Sequence, residues 1–176
     1  MDVDEVLSKL HKAELKVNVE KCEFVKEKVK VLGHIVSKNG ILPDPAKITS
    51  IQNMSPPNTI TGVKSFMGVV NFYRKFIRNC VSISEPLIQL IQSKYDVKKP
   101  FVWGAQQQES FELLKSSLVF SPILKFPDMN KEFILETDAF NFEIGAVLAQ
   151  SYLYEDKWTN FSVAYASRTL KPTEIN

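Results

Sequence analysis

The chain has 176 residues, of which 44% are hydrophobic and 24% charged, apolar mass enough for one or two cores, which excludes wholesale disorder. No run of eighteen apolar residues occurs, and the start "MDVDEVLSKLHKAELK" interleaves charges with apolar residues. A membrane-spanning helix and a signal peptide are thereby excluded, and an intracellular chain without a membrane partner is expected.

The net charge of +2 conceals an asymmetry. Residues 61 to 80 carry Lys64, Arg74, Lys75 and Arg78 and no acid, whereas residues 128 to 156 carry seven acids against the single Lys131. A basic middle points to a polyanion partner, and an acidic end to a metal or a plain solvated face. Cys22 and Cys80 show no CxxC or Cys/His spacing, so neither a zinc site nor a disulfide framework is expected and both read as buried thiols.

Val3, Val6, Leu7, Leu10 and Ala13 recur at helical spacing and predict an amphipathic helix over 2–15. "KVNV" and "CEFV" read as short extended runs, and "KVKVLGHIVSKNGILP" as two strands with Asn39-Gly40 as the hairpin signal. A short helix follows in "PDPAKITSIQNM", with Pro45 near its start and Ile48 and Ile51 facing inward. A long helix over about 61–79 is preceded by three candidate N-caps, Asn58, Thr59 and Thr61.

Gly68 stands in the middle of that helix, where it costs about 1 kcal/mol relative to alanine, so something approaches the backbone closely there. Either a second helix or a ligand meets that requirement. Ser84 is the expected cap of the next helix, "SEPLIQLIQS", with Pro86 in its first turn. "SKYDVKKP" is a polar loop, and "AQQQESFELLKSSLVF" resumes helical period through Phe111, Leu114 and Leu118.

From residue 131 the pattern alternates. "KEFILETDA", "IGAVLAQ" and "FSVAYASRT" predict three strands, joined by the tight "FNFE" and the polar loop "SYLYEDKWTN", with a boundary near 126–130. A three-stranded meander needs something packed on its face, and no cover is evident in "LKPTEIN" after it.

"LKVNVEKCEF", "VLGHIVSKNGILPDPAKI", "VKSFMGVVNFYRKFI", "FVWGAQQQESFELLKSSL", "FILETDAFNFEIGAVLAQ" and "VAYASRTLKPTEIN", with "PL" and "PIL" between them, occur in a family order. Together they resemble the Pol polyprotein of gypsy-type LTR retrotransposons, from the end of the reverse transcriptase palm through thumb and connection into ribonuclease H. The resemblance covers essentially the whole chain. It implies an α+β architecture: 1–55 as the end of the palm with a primer-grip hairpin, 56–98 as thumb-like helices, 99–129 as connection, and 130–176 as the first three antiparallel strands of an incomplete ribonuclease H-like domain.

The same resemblance makes Leu32, Gly33 and His34 the tip of the primer grip and residues 61–77 the thumb helix that follows the minor groove of a template-primer duplex. From spacing, Lys64, Gly68 and Phe72 stand at i, i+4 and i+8 on one helix face with Asn71 beside them. Backbone at Gly68 could then lie against a sugar edge, Phe72 against a ribose and Asn71 against a base edge or phosphate, while Lys64, Arg74 and Lys75 neutralise phosphates. Such contacts recognise shape rather than sequence. The plain alternative is a helix crossing at Gly68 and, for His34, a structural hairpin histidine.

Asp138 in "FILETDA" matches the first metal-binding carboxylate of ribonuclease H, and it is the only match. The chemistry needs about four carboxylates around two magnesium ions separated by roughly 4 Å, and the polymerase reaction needs a Tyr-x-Asp-Asp turn that does not occur in the chain. Glu174 reads as a capping or surface residue. The family usually has serine and glycine where Phe140 and Glu143 stand, and threonine or aspartate at Gly104, departures that suggest a decaying copy.

The expectation is a fragment of a reverse transcriptase/ribonuclease H whose parent uses Mg2+ and an RNA/DNA or DNA duplex. Alone it would hold magnesium weakly at Asp138, catalyse neither reaction, and at most bind the duplex. The competing expectations are a domesticated protein-interaction module, with Phe111 and Leu114 on exposed apolar helix faces, and an unexpressed decayed copy.

Overall fold

The computed structural model describes residues 2–92, 100–140 and 143–174. Along the chain run α1 (Val3–Lys12), β1 (Lys28–Val31), β2 (His34–Ser37), β3 (Gly40–Pro43), α2 (Pro45–Gln52), α3 (Ile60–Phe72), α4 (Cys80–Gln92), α5 (Ala105–Val119), β4 (Ile134–Phe140), β5 (Glu143–Tyr154) and β6 (Lys157–Thr169). Helices and two antiparallel three-stranded sheets, ordered β1-β2-β3 and β4-β5-β6, make an α+β fold.

The core is built where the amphipathic faces of α3, α4 and α5 converge. Val63, Phe66 and Val70 of α3, Leu87 of α4, and Phe111, Leu114 and Leu118 of α5 are buried, and Ile51 joins them from α2. Phe66 and Phe111 meet with ring centroids 4.6 Å apart, within the range of favourable aromatic pairs. Phe111 and Leu114 are both 0% exposed, so the apolar faces proposed for partner binding are spent inside the molecule.

The first sheet corrects the sequence reading by one strand. "KVKVLGHIVSKNGILP" forms three strands, because Leu32-Gly33 makes a second tight turn at φ of 46° and 78°, the left-handed pair of a type I′ hairpin. Its last strand is clamped to the chain after α5. Ile41 and Leu124 exchange both backbone hydrogen bonds, at 2.8 and 2.9 Å, and a Cβ on Gly40 would lie 2.1 Å from the Leu124 carbonyl oxygen.

"KVNV" and "CEFV" form no strand. Residues Val19–Lys21 make a 3-10 turn capped by Asn18, and Phe24 and Val25 are exposed without a pairing partner. Cys22 is only half-buried, unlike Cys80. α1 is shorter than predicted and buries none of its residues; Glu5 and Lys9 pair along its surface.

The long helix predicted over 61–79 is broken. α3, capped by Thr59 on Gly62, ends at Phe72; a 3-10 turn follows at Arg74–Phe76, and Asn79 adopts a left-handed φ of 53° before α4 begins at Cys80. Ser84 and Pro86 therefore lie inside α4 rather than at its start, and the Ser84 hydroxyl donates back to the Cys80 carbonyl. The "SKYDVKKP" loop lies outside the described residues but for Pro100, as do Asn141 and Phe142 of "FNFE".

The second sheet has the predicted three strands in the predicted order, but the last two are longer. "SYLYEDKWTN" is not a loop: it continues both strands to a two-residue turn at Glu155-Asp156, with φ of 47° and 60°. The missing cover comes from earlier in the chain. β6 packs on the 74–76 turn and on α4, and Tyr165 reaches the helical core. The opposite face leaves Leu135 exposed, and Trp158 is exposed at the far end of the sheet beside the Glu155-Asp156 turn.

Candidate nucleic-acid interface

The 32–33 turn leans on the end of α3. The Tyr73 hydroxyl donates to the Gly33 carbonyl at 2.9 Å, and the Asp44 N–H donates to the same oxygen at 3.0 Å. Asp44 is buried and caps α2 through Ala46, and a hydrogen bond from the Lys30 ammonium is the main reason its carboxyl titrates below the usual range. Burial pushes the Tyr73 phenol up, with the Asp44 charge adding to the effect.

His34 points inward from this turn. Its ring lies 5.2, 5.5 and 5.7 Å from the rings of Phe72, Tyr73 and Phe76. Its Nδ1 is 3.0 Å from the Leu32 carbonyl, which can only accept, so Nδ1 carries the proton. Nε2 is buried without a partner among the described residues. Burial first, and the Lys75 charge second, lower its pKa and favour the neutral ring.

Between the turn, α2 and α3 runs a groove of about 570 Å³. Leu32, Gly33, Gly68 and Phe72 line it together, and α2 contributes Lys47 and Ile51. A Cβ on Gly68 would find nothing within 4 Å, so no helix among the described residues crosses there, and a crossing among them does not explain the glycine. Leu32 is 85% exposed in its left-handed conformation and Phe72 53% exposed, so the rim is apolar and open.

Not every expected residue joins this face. Lys64 and Asn71 are exposed on α3 beside the groove rather than in its wall. Lys75 follows the end of α3, with its ammonium over the Phe76 ring. Arg74 turns away: its guanidinium donates to the Ser167 carbonyl at 2.6 Å and belongs to the contact with the second sheet. Sequence reasoning missed Lys47 and Tyr73, since their positions facing the turn depend on how α2 and α3 dock and no local pattern carries that.

Asp138 lies elsewhere, opposite Gly145 in the β4-β5 register. A cavity of about 240 Å³ joins it to Asn79, Ser82 and Glu143. Glu143 is 4% exposed; one carboxylate oxygen accepts from the Ser82 N–H at 2.9 Å, and the other is sealed from solvent. A hydrated magnesium ion cannot reach that second oxygen. Among the described residues no three His, Cys, Asp or Glu side chains are grouped for a metal, so the donor set around Asp138 does not fit a two-metal centre. Glu174 pairs with Arg168 and accepts from the Lys171 N–H, and these contacts, the Arg168 hydrogen bond foremost, lower its pKa.

Residues 103–176 match the family described as the RNase H-like domain found in reverse transcriptase, a stretch that takes in α5 as well as the second sheet. The chain is 41% identical to the Retrovirus-related Pol polyprotein from transposon opus of Drosophila melanogaster, over 97% of this chain and 17% of that protein. Its homologues are retrotransposon Pol polyproteins. The Drosophila melanogaster gypsy polyprotein is 37% identical over 99% of this chain, and the Schizosaccharomyces pombe Tf2-3 polyprotein 34% identical over 99%.

The chain spans between about one eighth and one sixth of these relatives, 12% of Tf2-3 and 17% of gypsy. In shape it matches the foamy viral protease-reverse transcriptase dRH in complex with double-stranded DNA, with a TM-score of 0.74 at 22% identity over 98% of this chain and 29% of that one. The foamy viral protease-reverse transcriptase in complex with RNA/DNA hybrid matches with a TM-score of 0.68, over 98% of this chain and 24% of that one. The fold of the present chain is that of a reverse transcriptase region. No helix among the described residues is long and apolar enough to cross a membrane.

Proposed function

We propose that the groove face made by the 32–33 turn and α3 seats the backbone of a nucleic-acid duplex, in the manner of the primer grip and thumb of a gypsy-type reverse transcriptase. Residues 1–55 then serve as the end of the palm, 56–98 as thumb, 99–129 as connection and 130–176 as the start of the ribonuclease H-like domain. The observation that carries this reading is Gly68, a helix-weakening residue with open space above it, on the same groove as an exposed, left-handed Leu32. Backbone strain and a missing side chain, both unfavourable to folding, coincide at one surface.

Lys64 and Lys75 supply the charge that a phosphate backbone requires, Asn71 supplies a hydrogen-bonding amide, and Phe72 supplies an apolar face for a sugar. The solved structures of similar shape hold double-stranded DNA or an RNA/DNA hybrid, which supports a duplex as the partner. Binding, and neither polymerisation nor hydrolysis, is the role assigned to these residues.

The test is fluorescence anisotropy of a labelled RNA/DNA hybrid and a labelled DNA duplex at low salt, comparing wild type with Lys64→Glu/Lys75→Glu. Affinity should fall about tenfold or more, and the salt slope should become shallower by about two. Equal affinity of the two proteins would overturn the assignment.

A further inference from the structure

Glu143 occupies a position where the resembling family has glycine, yet it is among the most buried acids in the molecule, at 4% exposure. Its environment explains the burial. α4 begins with Cys80, and the residue before it, Asn79, has a φ of 53° instead of the extended conformation of an N-cap. The first N–H groups of a helix have no partner within the helix, and buried ones need an acceptor from elsewhere.

The second sheet supplies two of them. The Ser82 N–H donates to Glu143 at 2.9 Å, and the Val81 N–H donates to the Ser167 hydroxyl at 3.3 Å. Glu143 opens β5 and Ser167 lies two residues before the end of the neighbouring β6, with Glu143 paired to Thr169 and Ser167 to Gly145. From the other side, Arg74 of the 3-10 turn before α4 donates to the Ser167 carbonyl. Two donors from the helix start and one from the preceding turn thus converge on one end of the sheet, across 61 to 93 residues of sequence.

We propose that Glu143 and Ser167 form a latch, in which the sheet acts as the N-terminal cap of α4 and fixes the 74–82 segment that follows the groove helix. A carboxylate is suited to this place, since it complements the positive end of the helix and makes charge-assisted bonds to backbone N–H groups. The latch accounts for three otherwise separate facts: α4 starts four residues before Ser84, Asn79 is left-handed, and Arg74 turns to the Ser167 carbonyl of the second sheet. Glu143 is on this account a working residue, not a sign of decay.

The inference rests on backbone hydrogen bonds and stands apart from the duplex reading, so its test uses no nucleic acid. Amide hydrogen exchange is followed residue by residue in the full chain. In Glu143→Ala the Ser82 amide should exchange about tenfold faster or more, and in Ser167→Ala the Val81 amide should do so, while amides in the middle of α5 keep their wild-type rates. Where Glu143→Ala does not fold, Glu143→Gln should still speed Ser82 several-fold, because a charged acceptor has become a neutral one. Unchanged protection of Ser82 in a folded Glu143 variant would overturn the latch.

Discussion

Tyr73 and Gly33, forty residues apart, are joined by a hydrogen bond of 2.9 Å that ties the tip of the first hairpin to the end of α3. That bond sets one wall of the groove against the other. Because Gly33 also accepts from the Asp44 N–H, its carbonyl keeps a partner when the hydroxyl is removed. Tyr73→Phe should therefore cost only about 1 kcal/mol, read from urea denaturation, and not the larger penalty of an orphaned buried carbonyl.

Gly40 has the opposite character. A Cβ there would sit 2.1 Å from the Leu124 carbonyl oxygen, at a φ of 130° that L-residues rarely adopt. Neither partner can move without breaking the bridge between Ile41 and Leu124. Gly40→Ala should lose about 3 kcal/mol or more, seen as a large drop in the denaturation midpoint.

Phe111 is fully buried against Phe66 and Trp103. Phe111→Ala should cost about 3–5 kcal/mol and unfold much of the population at moderate temperature, as measured by circular dichroism. A surface residue awaiting a protein partner would tolerate the change.

His34 gives a pH dependence whose sign follows from its surroundings. Burial, then Lys75, lowers its folded pKa below the ordinary 6.5. The unfolded chain thus takes up a proton that the native ring resists, and the histidine's contribution, complete above 6.5, is lost as pH falls below that value. Denaturation midpoints at about pH 7.5 and about pH 5.5 should differ less in His34→Phe than in wild type, since phenylalanine keeps the aromatic contacts without titrating.

Much of the fold was legible because it rests on local pattern. The period of Phe111, Leu114 and Leu118 located α5, and the alternation after residue 131 located all three strands of the second sheet. What escaped depends on partners far away in sequence. α4 starts early because its first N–H groups find Glu143 and Ser167, and α3 stops at Phe72, where Tyr73 and Arg74 turn to Gly33 and Ser167. "KVNV" and "CEFV" had the alternation of strands but no neighbour to pair with.

The candidate site divides in the same way. Gly68 was visible as an odd residue type in a helix and Phe72 by its spacing on the same face, whereas Leu32 was named only through the family resemblance, and the groove unites the three. Lys47 was invisible because only the docking of α2 brings it there, and Arg74 looked like part of a basic face until its carbonyl partner was known.

Gly68→Ala tests the central claim most directly, because folding and binding respond to it in opposite directions. With nothing within 4 Å of the added Cβ, the helix should gain about 1 kcal/mol and the thermal midpoint should rise. If a duplex backbone lies against that face, its affinity in the same preparation should fall about tenfold, close to 1.4 kcal/mol. A more stable protein that binds the duplex as tightly as wild type would contradict the account.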